Sequence, residues 1–345
     1  MGTITIKDVA KLCGVGVSTV SRAINDHPDI NPETKQMIMK VIEENNYIPN
    51  NSARNLKRSD SKTIAVLVKG VDNPFFEKMI CVIEEEIRKK KYSMVVHHVE
   101  AQEGEVAAAL ELERQKKLCG MIFLGGFYSE TSEDLAKVKV PVVLVTSAKP
   151  QLEANGAYSS VSVDDVKESC RMVDYLCQLG HKRIAILTAT MHDESVGKLR
   201  LQGYKKALER HNIEINENLI KYMKDNEDYS MKCGYILMKE LLESQEEISS
   251  VFAISDSLAI GACRAIHEAG LGVPEDIAVA GFDGLDMGAY YIPTLTTIVQ
   301  PVEEIAKEAV KILFHVIKKK AIHTHKFFEG ELVIRESTNG KDSAY

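Results

Sequence analysis

The sequence has no tryptophan, few aromatic residues (6%) and no long apolar run in its 345 residues. A membrane-spanning helix needs about 18 or more consecutive apolar residues, so we expect no membrane partner. The first residues, MGTITIKDVAKLCGV, interleave charged with apolar side chains and lack the apolar core of a secretory signal. We therefore expect a cytoplasmic protein, long enough for more than one domain.

The sequence also lacks the residue spacings that hold metals or disulfides. The cysteines are odd in number and form no C-x-x-C pair, and the histidines show no metal-ligand spacing. We interpret the cysteines as reduced thiols and expect no metal and no cofactor. The cysteines are Cys13, Cys81, Cys119, Cys170, Cys177, Cys233 and Cys263.

Catalytic signatures are missing as well. The sequence contains no Walker loop, no G-x-S-x-G, no H-E-x-x-H and no G-x-G-x-x-G fingerprint. No nucleophile and base are recognisable together. We therefore do not expect an enzyme.

Negative charge predominates, with a net charge of −7, which on its own argues against a nucleic-acid partner. The charge is unevenly spread, because residues 1–60 hold eight Lys and Arg against seven Asp and Glu, whereas the remainder holds thirty-five against forty-three. A near-neutral head on an acidic body permits DNA binding without indicating it.

Three regions of different pattern follow one another along the chain. Residues 1–47 contain short helical stretches and no strand pattern, and residues 48–61 are polar and typical of a hinge segment. In residues 62–340, apolar β-branched runs alternate with amphipathic helices, which predicts parallel sheets in an α/β fold. The predicted strands are TIAVLV (63–68), SMVVHH (93–98), GMIFL (120–124), PVVLV (141–145), RIAIL (183–187), SVFAI (250–254) and IAVAGF (277–282).

Two of these strand starts, KTIAVLV (62–68) and KRIAIL (182–187), are alike, which indicates two similar lobes. We place the first lobe at about 62–163 and 294–321, and the second at about 164–291 and 322–340. Ligands bind beyond the carboxyl ends of parallel strands, so two facing lobes would share a cleft.

The stretch GVGVSTVSRAIN (14–25) meets the steric demands of a helix-turn-helix. Ala10 is small enough for two helices to cross closely, and Gly14 tolerates the positive φ that the turn needs. The apolar residues with suitable spacing for the contact between the helices are Val9, Cys13, Val15, Val20 and Ile24. The residues left on the outer face are Val17, Ser18, Ser21, Arg22 and Asn25. Small and hydroxyl side chains allow close approach to base edges in a major groove, although an ordinary helical hairpin with a polar face fits the same spacing.

Leu56 is the one large apolar residue of the polar segment NNSARNLKRS (50–59), and Ala53 would lie on the same helical face. One interpretation is a segment that folds on DNA and wedges Leu56 into the minor groove, with Arg54, Lys57 and Arg58 near phosphates. The other is a flexible linker with one exposed leucine. The segment alone favours the linker.

The whole chain resembles the LacI/GalR family of bacterial transcription repressors. TIKDVAKLCGVGVSTVSRAIN, SARNLK, DNPFFEKMI, GHKRIAIL, RLQGYKKAL, SDSLAIGACRAIHEAGLGVPEDIAVAGFD and PTLTTIVQP follow in that family's order. The resemblance implies an all-α helix-turn-helix headpiece, a hinge helix, and an α/β core of two similar parallel-sheet lobes built like periplasmic sugar-binding proteins. It also implies a homodimer that binds a pseudo-palindromic double-stranded DNA operator. The absence of a C-terminal heptad pattern favours a dimer over a tetramer.

The resemblance assigns roles to single residues of the headpiece and hinge. Positions matching Val17, Ser18 and Arg22 contact bases in the family, and the position matching Leu56 is the minor-groove wedge. One departure is Gly16, where the family usually has Ser, so a phosphate contact is lost while helix capping remains possible.

In the core, the resemblance implies a cleft that binds a small sugar-like effector. Aromatic rings would cover the apolar faces of the sugar, and charged and amide groups would bind its hydroxyls. The candidate effector-binding residues are Asn73, Phe75, Phe76, Arg200, Tyr229, Ser255, Asp283 and Gln300, which are similar to the ligand residues of ribose-binding proteins with that fold.

Two departures leave the effector open. Ser255 stands where Asn is usual, and Thr146–Ser147 stand where ribose binders carry an Asp–Arg pair. A different sugar, a sugar phosphate, a nucleoside or a protein co-regulator therefore remains an alternative. Phe75 and Phe76 also fit a core role, and Asp256 fits a helix N-cap as well as a ligand contact.

The expected function is a repressor of carbohydrate uptake or catabolism genes whose operator affinity a small effector controls. Inducer and corepressor both occur in the family, so the sign of the effect stays open. The alternative is a soluble sugar-binding protein without a regulatory role, which would have no use for residues 1–60.

Overall fold

The computed structural model describes residues 5–24, 29–44, 62–70, 73–100, 103–126, 132–147, 158–225, 228–318 and 323–339. The chain divides into two compact units, Met1–Ser61 and Lys62–Tyr345. Four of the predicted DNA-binding residues lie outside the described residues, namely Asn25, Ala53, Leu56 and Lys57.

The described residues of the first unit form three helices, α1 (Ile6–Leu12), α2 (Val17–Ile24) and α3 (Pro32–Glu44). Helix α1 starts after Thr5, whose backbone N–H and hydroxyl both donate to the Asp8 carboxylate, at 2.9 and 2.6 Å. Helix α3 starts after Asn31, whose side-chain oxygen accepts from the Glu33 N–H at 2.8 Å. Both helices therefore begin where a polar side chain satisfies a free backbone donor.

The turn between α1 and α2 has the predicted form. Gly14 has a φ of 65°, and the Val15 N–H donates to the Ala10 carbonyl at 3.0 Å. The buried contact between the helices is small and is made by Val9, Ala10, Val20, Ala23 and Ile38. Cys13, Val15 and Ile24 pack against it while partly exposed.

The second unit contains two six-stranded sheets, which confirms the predicted α/β core. The first sheet has the order β2-β1-β3-β4-β5-β11 and the second β7-β6-β8-β9-β10-β12. All neighbouring strands are parallel except β10 and β12, which are antiparallel. The strands are β1 (Thr63–Lys69), β2 (Ser93–Val99), β3 (Gly120–Leu124), β4 (Val142–Val145), β5 (Ser159–Val163), β6 (Ile184–Thr188), β7 (Ile220–Tyr222), β8 (Ser250–Ala253), β9 (Ala278–Asp283), β10 (Thr296–Val299), β11 (His325–Phe328) and β12 (Glu331–Val333).

Helices cover the sheets because their apolar stripes match the buried strands. In α4, for example, Phe75, Met79, Ile83 and Ile87 recur every four residues and are all buried. The helices of this unit are α4 (Phe75–Lys89), α5 (Glu105–Gln115), α6 (Ser132–Leu135), α7 (Asp165–Gln178), α8 (Val196–Arg210), α9 (Met231–Glu243), α10 (Asp256–Glu268), α11 (Met287–Tyr290), α12 (Val302–Ile317) and α13 (Glu336–Asn339), and a 3-10 turn spans Glu217–Leu219.

The lobe boundaries differ from the predicted ones near the C-terminus. Residues 294–321 were assigned to the first lobe, but β10 pairs with β9 in the second sheet. Residues 322–340 were assigned to the second lobe, but β11 pairs with β5 in the first sheet. The assignments are wrong for β10 and β11 because a distant pairing partner, and not the local pattern, places each strand. The rest of the two ranges lies as assigned: α12 (Val302–Ile317) packs on β3, β4 and β5 of the first sheet, and β12 and α13 belong with the second sheet.

The chain crosses between the sheets for the last time within a few residues, from Phe328 in β11 to Glu331 in β12. Gly330, between them, is held on both backbone groups by helix α7. Its N–H donates to the Glu168 carboxylate at 3.1 Å, and its carbonyl accepts from the Arg171 guanidinium at 3.1 Å. The crossing is thus fixed to the second sheet's own helix layer.

Helices α9 and α10 approach so closely that glycine is needed at the contact. A Cβ at Gly234 would overlap the Leu258 carbonyl oxygen, and a Cβ at Gly261 would overlap the Met231 carbonyl oxygen. Backbone atoms cannot move away as a flexible side chain can, so these two positions set the distance between the helices.

We predict that Gly234→Ala lowers the free energy of unfolding of the core by about 1–3 kcal/mol, since the added methyl group overpacks the helix contact. Differential scanning calorimetry or urea unfolding measures this change. Lys239→Ala, at an exposed position of the same helix, is the matched control and should leave stability within about 0.5 kcal/mol. Equal stability of the two variants would contradict the close contact.

Candidate ligand-binding and nucleic-acid-binding sites

The core site is built around Arg200, which projects from α8 and is only 4% exposed. Its Nε donates to the Asp165 carboxylate at 2.8 Å. Its Nη1 donates to the Ile254 carbonyl at 2.6 Å and to the Asp283 carboxylate at 3.2 Å. The guanidinium carbon also lies 3.8 Å from the centre of the Phe282 ring. One side chain thereby joins the start of α7 to the carboxyl ends of β8 and β9.

Asp283 ends β9 with a φ of 114°, a conformation that non-glycine residues rarely adopt and that costs about 1–3 kcal/mol. Its carboxylate accepts from the Gln300 amide at 2.8 Å, and its carbonyl accepts from the Gln300 N–H at 3.2 Å. Burial raises the pKa of Asp283 to about 6, against the opposing effect of Arg200. The strained backbone is therefore held by contacts on both sides of the residue.

Asp193 and Ser195 belong to the same site and were missed by the sequence analysis. Ser195 precedes α8, accepts from the Gly197 N–H at 3.3 Å, and donates its hydroxyl to Asp193 Oδ2 at 2.8 Å. The Lys198 N–H donates to that same oxygen at 2.9 Å. The local sequence HDESVGK is typical of a helix start, and nothing in it signals that the carboxylate is buried near Arg200.

Tyr229 lies between this pair and the Arg200 cluster. A Cβ on Gly197 would be 2.7 Å from Asp193 Oδ2 and 2.8 Å from the Tyr229 hydroxyl, so the two oxygens lie close together. Burial raises the pKa of Tyr229, the Asp193 carboxylate raises it further, and Arg200 opposes the shift. The structure thus brings together Arg200, Tyr229, Asp283 and Gln300 of the predicted set.

Three buried polar atoms of this cluster have no hydrogen-bond partner among the described residues: Asp193 Oδ1, the Tyr229 hydroxyl and Gln300 Oε1. Buried polar groups in folded proteins are nearly always paired. Gln300 bonds Asp283, the partner of Arg200, and Asp193 neighbours Tyr229, so the three atoms lie in and beside the Arg200 cluster.

Ser255 and Asp256 have structural contacts that account for their positions. Ser255 caps α10 by accepting from the Leu258 N–H at 3.3 Å, so the N-cap proposed at Asp256 falls one residue earlier. The Asp256 carboxylate accepts from the Leu285 N–H and from the Thr297 hydroxyl, both at 2.6 Å. Its pKa is raised to about 8, mainly by burial.

The predicted residues of the first lobe stand apart from this cluster. Asn73 accepts from the Phe75 N–H at 3.1 Å and so begins α4. The rings of Phe75 and Phe76 meet edge to face at 5.5 Å and are buried in the apolar core. Within the described ranges, no hydrogen bond joins these three residues to the Arg200 cluster.

The candidate nucleic-acid interface is the outer face of α2. Val17, Ser18 and Arg22 are exposed there, and Ser21 is half-buried. Val20 and Ala23 are buried on the opposite face. The helix therefore presents one positive charge and small side chains to solvent, as a groove-binding helix requires.

Two other kinds of site were sought in the part of the chain that the structure describes. No group of three or more His, Cys, Asp or Glu side chains there could hold a metal ion. No helix among those residues is long and apolar enough to span a bilayer.

Comparison with known proteins gives matches over both units. A family model for "Bacterial regulatory proteins, lacI family" matches residues 5–50, and one for a "Periplasmic binding protein-like domain" matches residues 173–338. The chain is 40% identical over 334 residues to the HTH-type transcriptional regulator MalR of Clostridium butyricum, covering 96% of this chain and 98% of that protein.

Solved structures match along the same length. The lac repressor dimer bound to operator and the anti-inducer ONPF has a TM-score of 0.78 and 28% identity, over 98% of this chain and 99% of that chain. The complex of the transcriptional regulator CelR with cellobiose has a TM-score of 0.71 and 27% identity, over 97% of this chain and 99% of that chain.

We predict that Asp256 makes core stability depend on pH. Because its pKa is raised from 3.8 to about 8, the native protein keeps a proton that the unfolded chain loses in that range. The stabilising contribution is fully present below about pH 4 and is lost as the pH rises through about 8. The free energy of unfolding relative to Asp256→Asn should therefore fall between pH 4 and pH 8, as measured by urea unfolding.

Asp225→Asn removes an exposed carboxylate of the same unit and serves as the control for this measurement. The difference in free energy of unfolding between Asp225→Asn and the unsubstituted protein should not change between pH 4 and pH 8. A flat difference for Asp256→Asn as well would show that Asp256 is ionised in the folded protein.

Proposed function

The chain belongs to the lacI family of bacterial regulatory proteins, and on that premise we propose that it represses genes of carbohydrate uptake or catabolism under the control of a sugar-like effector. It is a DNA-binding transcriptional regulator and not an enzyme. The repressor role, the effector and the residues that bind it are the proposal.

In the headpiece, exposure of α2 supports DNA contact by Val17, Ser18, Ser21 and Arg22. Arg22 would bind a guanine with two hydrogen bonds or a phosphate with its charge. Asn25, Ala53, Leu56 and Lys57 complete the proposed DNA-binding set, with Leu56 as the minor-groove wedge.

In the core, the observation that carries the proposal is the buried Arg200 cluster with its three unpartnered polar atoms. A guanidinium beside a carboxylate can bind neighbouring hydroxyls by charge-assisted hydrogen bonds, which suits a polyol. The match to the CelR complex with cellobiose gives independent support for a sugar ligand.

The two lobes give the ligand a way to act on the headpiece. The Arg200 cluster belongs to the second sheet, while Asn73, Phe75 and Phe76 follow β1 of the first sheet. A ligand that contacts both groups would favour one angle between the sheets and so shift operator affinity, typically by about 1–3 kcal/mol. The protein would act as a homodimer, in line with the lac repressor dimer that it resembles.

The DNA half of the proposal is tested with an operator selected from random-sequence DNA by the intact protein. We expect Arg22→Ala to lose about 1–3 kcal/mol of discrimination against single-base variants of that operator, since a bidentate base contact is removed. Fluorescence anisotropy measures the affinities. If Arg22→Ala lowers the affinity equally for the operator and all its single-base variants, Arg22 contacts a phosphate and not a base.

Lys40→Ala is the matched control for Arg22→Ala, because it removes one positive charge from an exposed position of α3. It should lower affinity slightly and equally for all sequences. Unchanged operator affinity in Arg22→Ala would refute a DNA contact by this residue.

The effector half is tested by measuring the melting temperature of the protein in the presence of pentoses, hexoses, disaccharides, sugar phosphates and nucleosides. A ligand at about 100 times its Kd stabilises by about 2.7 kcal/mol, which raises the melting temperature by a few degrees. Asp283→Ala should abolish this shift because it removes the Arg200 and Gln300 partner. Asp286→Ala, at a nearby exposed carboxylate, should retain it.

A shift that survives in Asp283→Ala would place the ligand elsewhere in the protein. If no compound of the panel shifts the melting temperature, the sugar-effector proposal fails and a protein co-regulator takes its place.

A further inference from the structure

Asp193 combines burial with an unused acceptor. Its side chain is 4% exposed, and its Oδ2 is occupied by the Ser195 hydroxyl and the Lys198 N–H. Its Oδ1 has no hydrogen-bond partner in the described part of the chain. The role of Asp193 at the start of α8 is met by Oδ2 alone, so the second oxygen is left for another group.

That oxygen belongs to a set with complementary chemistry. Gln300 is 3% exposed, and its Oε1 can only accept a hydrogen bond, as can Asp193 Oδ1. The Tyr229 hydroxyl can donate or accept, and it too is without a partner in the regions that the structure describes. Two acceptors and one hydroxyl are complementary to a ligand that brings at least two hydrogen-bond donors, such as adjacent hydroxyl groups.

Carboxyl groups outnumber cations around the set in the described part of the chain. Four buried carboxyl groups, Asp165, Asp193, Asp256 and Asp283, lie in and next to the cluster, against the single guanidinium of Arg200. Lys198 does not balance them, because its ammonium pairs with the Glu194 carboxylate at 2.5 Å. Burial raises the pKa of all four carboxyl groups, for Asp256 to about 8, so that Asp256 is neutral at pH 7. Because burial already disfavours the ionised form of the other three, a further negative charge beside them would be unfavourable.

A phosphate ester would add a charge of about −1.5 to −2 at neutral pH. Among the described residues of the cluster, Arg200 is the cation that a phosphate could pair with, and it already bonds two carboxylates and a carbonyl. The phosphate would also face Asp193 Oδ1 and Gln300 Oε1, which are acceptors and cannot donate to it.

We propose that Asp193 is a further ligand-binding residue, and that its charge makes the site select a neutral polyhydroxylated ligand over the phosphate ester of the same compound. The inference rests on the proposed function of the Arg200 cluster as the effector site. It removes the sugar phosphate from the alternatives that the sequence left open.

The experiment compares matched pairs by isothermal titration calorimetry on the full chain. The probes are ribose and ribose 5-phosphate, glucose and glucose 6-phosphate, and maltose and its 6-phosphate. For at least one pair we expect the neutral sugar to bind and its phosphate to bind more than about 100-fold more weakly. This ratio corresponds to one strongly unfavourable charge contact.

Two substitutions separate the hydrogen bond of Asp193 from its charge. Asp193→Ala should weaken binding of the neutral sugar about tenfold or more. The substitution removes the acceptor Oδ1 and also the contacts of Oδ2 with the Ser195 hydroxyl and the Lys198 N–H. In Asp193→Asn the amide oxygen takes the place of Oδ2, which two donors hold, and the NH2 group takes the place of Oδ1, where it can donate to a ligand hydroxyl. Affinity for the neutral sugar should therefore stay within about threefold, while the discrimination against the phosphate is reduced. Glu214→Gln, at an exposed carboxylate of the same lobe, should change neither value.

The outcomes distinguish the inference from the proposed function. A phosphate that binds as well as or better than its neutral sugar overturns the inference, while the effector cleft stands. If the neutral sugar binds both Asp193 variants as tightly as the unsubstituted protein, Asp193 is not a ligand-binding residue, and the rest of the effector site is unaffected by this result. If none of the six compounds binds, the inference fails together with the sugar-effector function.

Discussion

The arrangement of residues at the carboxyl ends of β8 and β9 depends on the contacts of the Arg200 guanidinium. This guanidinium is bonded at once to the first residue of α7, to the carbonyl that follows β8 and to the last residue of β9. Desolvation of such buried charges largely offsets their attraction, so the pairs add little net stability. Breaking one of them would nevertheless leave an uncompensated charge, which costs about 3–5 kcal/mol. The arrangement therefore fixes geometry more than it stabilises the fold.

The polar atoms without hydrogen-bond partners are the groups through which a ligand could act on this part of the second sheet. Each buried group that lacks a hydrogen bond costs about 1–3 kcal/mol, and three of them lie around Arg200. A ligand that satisfies them stabilises the conformation in which they converge and leaves other conformations unaffected. Such differential affinity is the only means by which a ligand can shift an equilibrium between two arrangements of the lobes.

Features set by neighbours in sequence could be predicted, and those set by distant contacts could not. Gly14 was identified because a turn depends on the residue itself and on groups a few positions away. The exchange of β10 and β11 between the sheets was missed, since their pairing partners lie far away in the chain. Asp193 was missed for a similar reason: its local sequence indicates a helix start, and its burial depends on how α8 packs. Arg200, Tyr229, Asp283 and Gln300 were found by resemblance, and the structure brings them together.

The last crossing between the sheets limits how the core can deform. Phe328 and Glu331 belong to different sheets but are joined by only three peptide units, which reach at most about 11 Å. Gly330 is clamped between them by Glu168 and Arg171, so little of this length is slack. The sheets cannot slide apart or translate past each other at this point. A relative motion of the sheets that keeps this connection intact is a rotation near Gly330, so a ligand in the core would act by changing the angle between the sheets.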